Sequence, residues 1–125
     1  LQACDIAYIN LHGTATPLND AMESAAVFRV FGSNTACSFT KPLTGHTLGA
    51  AGATEAALCW LLLSDHNHAR SVPAQCNQKT PDTTLAPIAI LRKTQILPDK
   101  KTLAMQSNSF AFGGSNASVI LTRSV

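Results

Sequence analysis

Residues 41–63 read KPLTGHTLGAAGATEAALCWLLL, with Lys41 and His46 at the entrance and Glu55 as the only charged side chain from there to Leu63. From Ala51 onward the segment is apolar nearly all round, whereas a helix on a protein surface shows one polar face. It predicts a long helix, from about Thr47 to His66. Gly45, Gly49 and Gly52 set backbone without side chains on neighbouring turns, so very close packing is expected. A helix of this kind requires a sheet on both sides. The remainder of the chain suffices for one good sheet, which predicts a missing half or a tight partner.

Outward from this helix, residues 5–11, DIAYINL, are apolar and β-prone and read as a buried strand. HGTATP follows as a loop, with Pro17 placed for the first turn of a helix. That helix runs from Leu18 to Phe31, with Met22, Ala25, Ala26, Phe28 and Val30 as its apolar positions and Gly32 as its stop. ACSFT (36–40) reads as a second short strand. After the long helix, residues 67–86 are polar and Pro-containing and read as mostly irregular. PIAIL (87–91), TLAMQSN (102–108) and ASVILTR (117–123) read as strands. A β-α-β-α order followed by strands predicts a layered α/β fold. No internal repeat or low-complexity segment is present.

At 125 residues the chain reads as one domain. Such a chain buries roughly two-thirds of its unfolded surface, enough for a real core. Apolar residues make up 46% and charged ones only 13%, leaving little charge to cover a free-standing surface. The net charge of +2 is dispersed, and no basic run interleaved with aromatics suggests nucleic acid. The apolar helix is too short for a membrane span. Cys4, Cys37, Cys59 and Cys76 stand far apart without CxxC spacing, which predicts reduced thiols and a cytoplasmic protein. The start, LQACDIAYIN, has no basic leader and no Met, and predicts a piece of a longer protein.

Three short loops follow predicted strands: HGTATP from His12, KPLTGH from Lys41 to His46, and NSFAFGGSN from Asn108 to Asn116. In α/β sheets ligands gather outside the carboxyl ends of strands, so the three loops are expected to converge. Two histidines and a lysine there stabilise developing negative charge or move protons. The threonines of HGTAT offer hydroxyls to a polar ligand arm. Gly113 and Gly114 let backbone approach closely. His66 and His68, with no third ligand in reach by sequence, read as a solvated helix end rather than a metal pair.

These motifs, HGTATP, KPLTGHTLGAAG and NSFAFGGSN in that order, resemble the β-ketoacyl-acyl carrier protein synthases, condensing enzymes of the thiolase superfamily. The resemblance covers almost the whole chain, but only the C-terminal half of the family's enzyme. It implies a thiolase-like domain over residues 1–125, one half of a layered α/β/α/β/α architecture. It also implies decarboxylative Claisen condensation of an acyl thioester with malonyl-carrier protein. By the same resemblance His12 and His46 match the histidines that assist decarboxylation and stabilise the enolate oxygen, Lys41 the family's lysine, and Glu55 the buried glutamate it pairs with or faces. Thr14 and Thr16 match residues that hold the phosphopantetheine arm of the carrier protein. Phe112 matches the gate residue, Phe110 its neighbour, and Gly113 belongs to the same substrate-side loop. Asn10, Glu55, Ser107 and Asn108 match positions around a monovalent cation seen in some members. No cofactor of the chain's own is implied. The family usually forms homodimers, and it usually has Gly where Ala111 stands, so a stiffer gate or an altered acyl pocket is expected.

The family's nucleophile is a cysteine on the N-terminal half, and none of the four cysteines here lies in a matching motif. The expectation is therefore a chain that serves a thiolate lying elsewhere and is inactive alone. A non-catalytic partner of the chain-length-factor type stays open as an alternative, though it need not retain the His-Lys-His set. A thiolase is disfavoured, because the loop where it carries a cysteine reads FAFGGSN.

Overall fold

The computed structural model describes residues 1–76, 80, 82–110, 113 and 115–124. The run DIAYINL forms β1 (Ile6–Asn10), entered from a 3-10 turn at Ala3–Asp5. Pro17, placed in the first turn where its missing N–H costs nothing, opens α1 (Pro17–Phe31), and Gly32 at φ 66° ends it. β2 (Ala36–Ser38), a single-turn α2 (Lys41–Thr44) and α3 (Ala51–Leu63) follow. The remaining strands are β3 (Ser71–Val72), β4 (Ala89–Ile90), β5 (Gln95–Ile96), β6 (Thr102–Phe110) and β7 (Asn116–Ser124). Among the described residues, five of these seven strands make one sheet in the order β4-β2-β1-β6-β7. β4, β2, β1 and β6 are parallel and β7 is antiparallel to β6. The β3–β5 pairing within and beside the segment read as irregular was not expected, because two-residue strands leave no periodicity.

Parallel strands bury both faces, and the core divides accordingly. On one face Tyr8, Leu103 and Met105 pack with Cys59 and Leu63 of α3; on the other Ile6, Ile9, Cys37 and Ala104 pack with Val27 of α1. The long helix is shorter than the sequence suggests. It begins at Ala51, after a 3-10 turn at Leu48–Ala50, because Gly45 at φ 72° and Leu48 at φ 50° break the α conformation. Of its three glycines, only Gly52 meets a close neighbour. A Cβ there would come within 2.9 Å of Ser109 Oγ, whereas Gly45 and Gly49 face open space.

The apolar stripe expected on α1 is also corrected. Glu23, Ser24 and Val27 face the sheet, while Met22, Ala25, Ala26, Phe28 and Val30 are exposed. α3 buries Ala51, Glu55, Cys59 and Leu63 at i, i+4 spacing and leaves Ala53, Ala57, Trp60 and Leu61 uncovered. The all-round apolarity of α3 thus has one face satisfied within this chain. Among the described residues, no helix is long and apolar enough to cross a membrane.

Candidate active site

β1, β2 and β6 run parallel, so their carboxyl ends meet at one edge of the sheet and deliver the three motif loops together. His12, buried, lies two residues past β1. Its Nδ1 is 3.4 Å from Lys41 Nζ, its ring centroid is 5.4 Å from that of His46, and it is 6.0 Å from that of Phe110 at the end of β6. One imidazole therefore touches all three motifs. Gly13 follows at φ 51°, where a Cβ would come within 2.4 Å of the Phe39 ring, so the loop closes only with glycine.

Lys41 is buried at the start of α2, and its ammonium donates to Glu55 Oε1 of α3. At 1% exposure Glu55 reaches no water to share its charge, and the pair offsets what either ion alone would cost. Burial pushes the Glu55 carboxyl up; the hydrogen bond and charge of Lys41 oppose that push.

The contacts also fix where the histidine protons sit. An ammonium has no lone pair, so Lys41 Nζ donates to His12 Nδ1, leaving the proton on Nε2. The Leu48 N–H, turned by its positive φ, donates to His46 Nδ1 at 3.2 Å, with the same result. His12 is held down to about 4 by burial first, then by the charges of Lys41 and His46. It stays a neutral N–H donor at ordinary pH. Two imidazole Nε2–H groups beside a buried cation are suited to an oxygen that gains negative charge during reaction.

Of the other expected residues, Thr14 and Thr16 lie at the rim. Their hydroxyls are 3.0 Å apart, with Ala15 at φ 58° between them. Gly113 is exposed at φ 72°; Phe112 and the Ala111 substitution lie outside the described residues. The expected cation set is divided by the sheet. Asn10 and Ser107 are register neighbours on the face toward α3. Asn10 Oδ1, Ser107 Oγ and Glu55 Oε2 are buried oxygens without a partner. Asn108 turns its side chain to the other face, where Nδ2 donates to Glu23 Oε1 at 3.3 Å and Oδ1 accepts from Gln106 and Ser118. Three orphaned oxygens on one face suit a hard monovalent ion. Among the described residues no cluster of three or more His, Cys, Asp or Glu side chains is arranged for a metal.

Glu23 escaped the sequence reading. From the buried face of α1 it accepts the His12 N–H at 2.8 Å, the Gly13 N–H at 2.9 Å and the Asn108 amide. One carboxylate thus ties the first motif loop to the start of the third. The available signal was an acid four residues before Val27, on a helix otherwise read from its apolar positions. Glu23→Ala strands two buried N–H groups, and a loss of about 3 kcal/mol in denaturant unfolding is expected. Glu23→Gln, which keeps an acceptor, is expected to lose about 1 kcal/mol.

Cys37 and Cys59 are buried and pushed up to about 12 by burial, and their thiols turn to the Thr35 and Gln106 carbonyls. They are core residues, as their apolar setting suggests.

The three motif loops meet at one edge of this sheet, and the chain belongs to the β-ketoacyl synthase family. The model of the family's C-terminal domain matches residues 1–78. The chain is 40% identical over 119 residues to 3-oxoacyl-[acyl-carrier-protein] synthase 1 of Escherichia coli K12, covering 94% of this chain and 28% of that protein. In structure it resembles a chain of the ketosynthase (ApeO) in complex with its chain length factor (ApeC) from Xenorhabdus doucetiae, with 49% identity and a TM-score of 0.85, covering 100% of this chain and 30% of the other. A β-ketoacyl synthase from Burkholderia phymatum gives 37% identity and a TM-score of 0.84 over 100% of this chain and 29% of the other. The mixed α/β architecture is thus that of the ketosynthases, and the chain spans less than a third of each relative.

Proposed function

We propose that this chain is part of the C-terminal half of a β-ketoacyl-acyl carrier protein synthase. The observation that carries the reading is the pair of Nε2–H donors of His12 and His46 set against the buried Lys41–Glu55 pair. In the complete enzyme a cysteine thiolate from the remaining polypeptide carries the acyl group. Malonyl-carrier protein loses its carboxylate as CO₂, and the electron pair left behind forms an enolate whose oxygen accepts from the two imidazoles. Its carbon attacks the acyl thioester carbon, a C–C bond forms, and the cysteine thiolate leaves. Lys41 orders His12 by occupying its Nδ1.

The partners under this reading are the N-terminal half, which covers the exposed Ala53, Ala57, Trp60 and Leu61 face of α3, and an acyl carrier protein. Thr14 and Thr16 hold the phosphopantetheine arm, and Phe110 with Gly113 borders the acyl side. Asn10 Oδ1, Glu55 Oε2 and Ser107 Oγ hold a monovalent cation, supported by their burial without partners. The complete enzyme is a cytoplasmic homodimer in fatty acid or polyketide synthesis.

The test is the complete protein given an acyl thioester and carboxyl-labelled malonyl-carrier protein. Release of labelled CO₂ with formation of a 3-oxoacyl product is expected; the absence of both would sink the reading. The second reading, a non-catalytic partner of chain-length-factor type, is prompted by the complex that contains the Xenorhabdus relative. It predicts binding to an active ketosynthase without CO₂ release.

A further inference from the structure

Past the register pair Asn10–Ser38 the parallel strands β1 and β2 part. The Leu11 N–H still donates to the Ser38 carbonyl at 2.9 Å, but the next N–H groups turn to side chains. Those of His12 and Gly13 go to Glu23, and that of Phe39 goes to Gln75 Oε1 at 2.9 Å. Gln75 is buried and anchored in turn, its own N–H donating to the Leu91 carbonyl at 2.8 Å. Phe39 packs against the α1-side core of Ile9, Val27 and Cys37. Its side chain also lies on the Gly13 backbone. A Cβ on Gly13 would come 2.4 Å from the ring Cγ and 2.5 Å from Phe39 Cβ, so the seat exists only where residue 13 has no side chain.

This contact joins the two segments that the chemistry above needs at a fixed spacing. Gly13 follows His12 directly, and Phe39 precedes Lys41 by two residues, outside the three motif loops. Where the side chains of these segments meet, Lys41 Nζ and His12 Nδ1 are 3.4 Å apart. That is long for a hydrogen bond, whose usual reach ends at about 3.2 Å. A bond so stretched follows the spacing of the two backbones and does not set it. We propose that Phe39 sets it: the side chain, seated on Gly13 and held through Gln75, fixes the separation of the histidine and lysine segments. Phe39 is thereby a positioning residue for His12, acting through Gly13. The kinetic consequence rests on the condensing function proposed above; the spacing itself does not.

In the complete protein Phe39→Ala is expected to lower kcat for condensation about tenfold, because small displacements of a reacting group are costly. KM for the acyl thioester stays unchanged within about twofold, and Phe39→Tyr, which keeps the ring, keeps the wild-type rate. Wild-type kcat in the alanine variant, or equal loss in the tyrosine variant, overturns the positioning role. Diffraction from the complete protein decides the spacing without any assay. The wild type is expected to show the ring on Gly13, and Phe39→Ala to lose the direct Lys41–His12 contact. A wild-type ring turned away from Gly13, or an unchanged contact in the variant, overturns the proposal. Where the alanine variant fails to fold, Phe39→Leu, which keeps apolar bulk without the ring, is judged by the same measurements and criteria. Should the wild type condense nothing, the functional reading has failed and diffraction still decides the spacing.

Discussion

Replacing Lys41 by methionine destabilises the complete protein by about 3–5 kcal/mol at neutral pH, because Glu55 is left as a buried carboxylate with no counter-charge. The loss depends on pH with a definite sign. Burial already raises Glu55 above its ordinary 4.5, and removing Lys41 takes away the chief opposing influence. A carboxyl raised in the folded state contributes stability below the unfolded value and loses it as pH rises through the folded one. The Lys41→Met variant is therefore least impaired near or below pH 4.5 and progressively weaker above it. Adding Glu55→Gln removes the charge and recovers most of the loss. Urea unfolding of wild type, single and double variants across pH checks this. A pH-independent deficit that the double variant does not relieve would contradict the pairing.

The second large effect is on rate. Under the proposed function, His12→Ala in the complete protein is expected to lower kcat for condensation by about 10²–10³-fold, the usual consequence of removing one preorganised donor to a developing oxyanion. His12→Gln, which keeps an N–H donor, retains part of that. Because His12 titrates at about 4 rather than 6.5, its donor role is intact from about pH 6 to 8. The stability it contributes is full above 6.5 and fades as pH falls from there toward 4, where the unfolded chain takes up the proton first. An acid limb in kcat centred near 6.5 that disappears in His12→Gln would show a histidine that titrates freely, against this assignment.

Much of this was legible in the chain. DIAYINL, Pro17 with Gly32, and the run to Leu63 pointed to β1, α1 and α3 through apolar runs and caps. The three loops were expected at one sheet edge, and His12 brings them together. What went astray did so for physical reasons. On α1 the apolar residues point outward and a carboxylate points in, because the backbone N–H groups of His12 and Gly13 need an acceptor more than the sheet needs another methyl group. Local pattern carries no record of that demand, since donor and acceptor lie 11 and 10 residues apart. The start of α3 moved because positive φ at Leu48 serves the His46 ring rather than the helix.

By itself the sequence determined the α/β class, the strand-loop-helix order, the family and the residue types available for chemistry. It did so because period, capping and short ordered motifs are local properties. Only the tertiary structure decided which atoms share a charge. It set Lys41 between His12 and Glu55, turned Asn10 and Ser107 to the α3 face while sending Asn108 to the other, and brought Glu23 under the loop that follows β1. Those choices depend on strand register and on which helix covers which face, and one residue's shift along a strand would have reversed them.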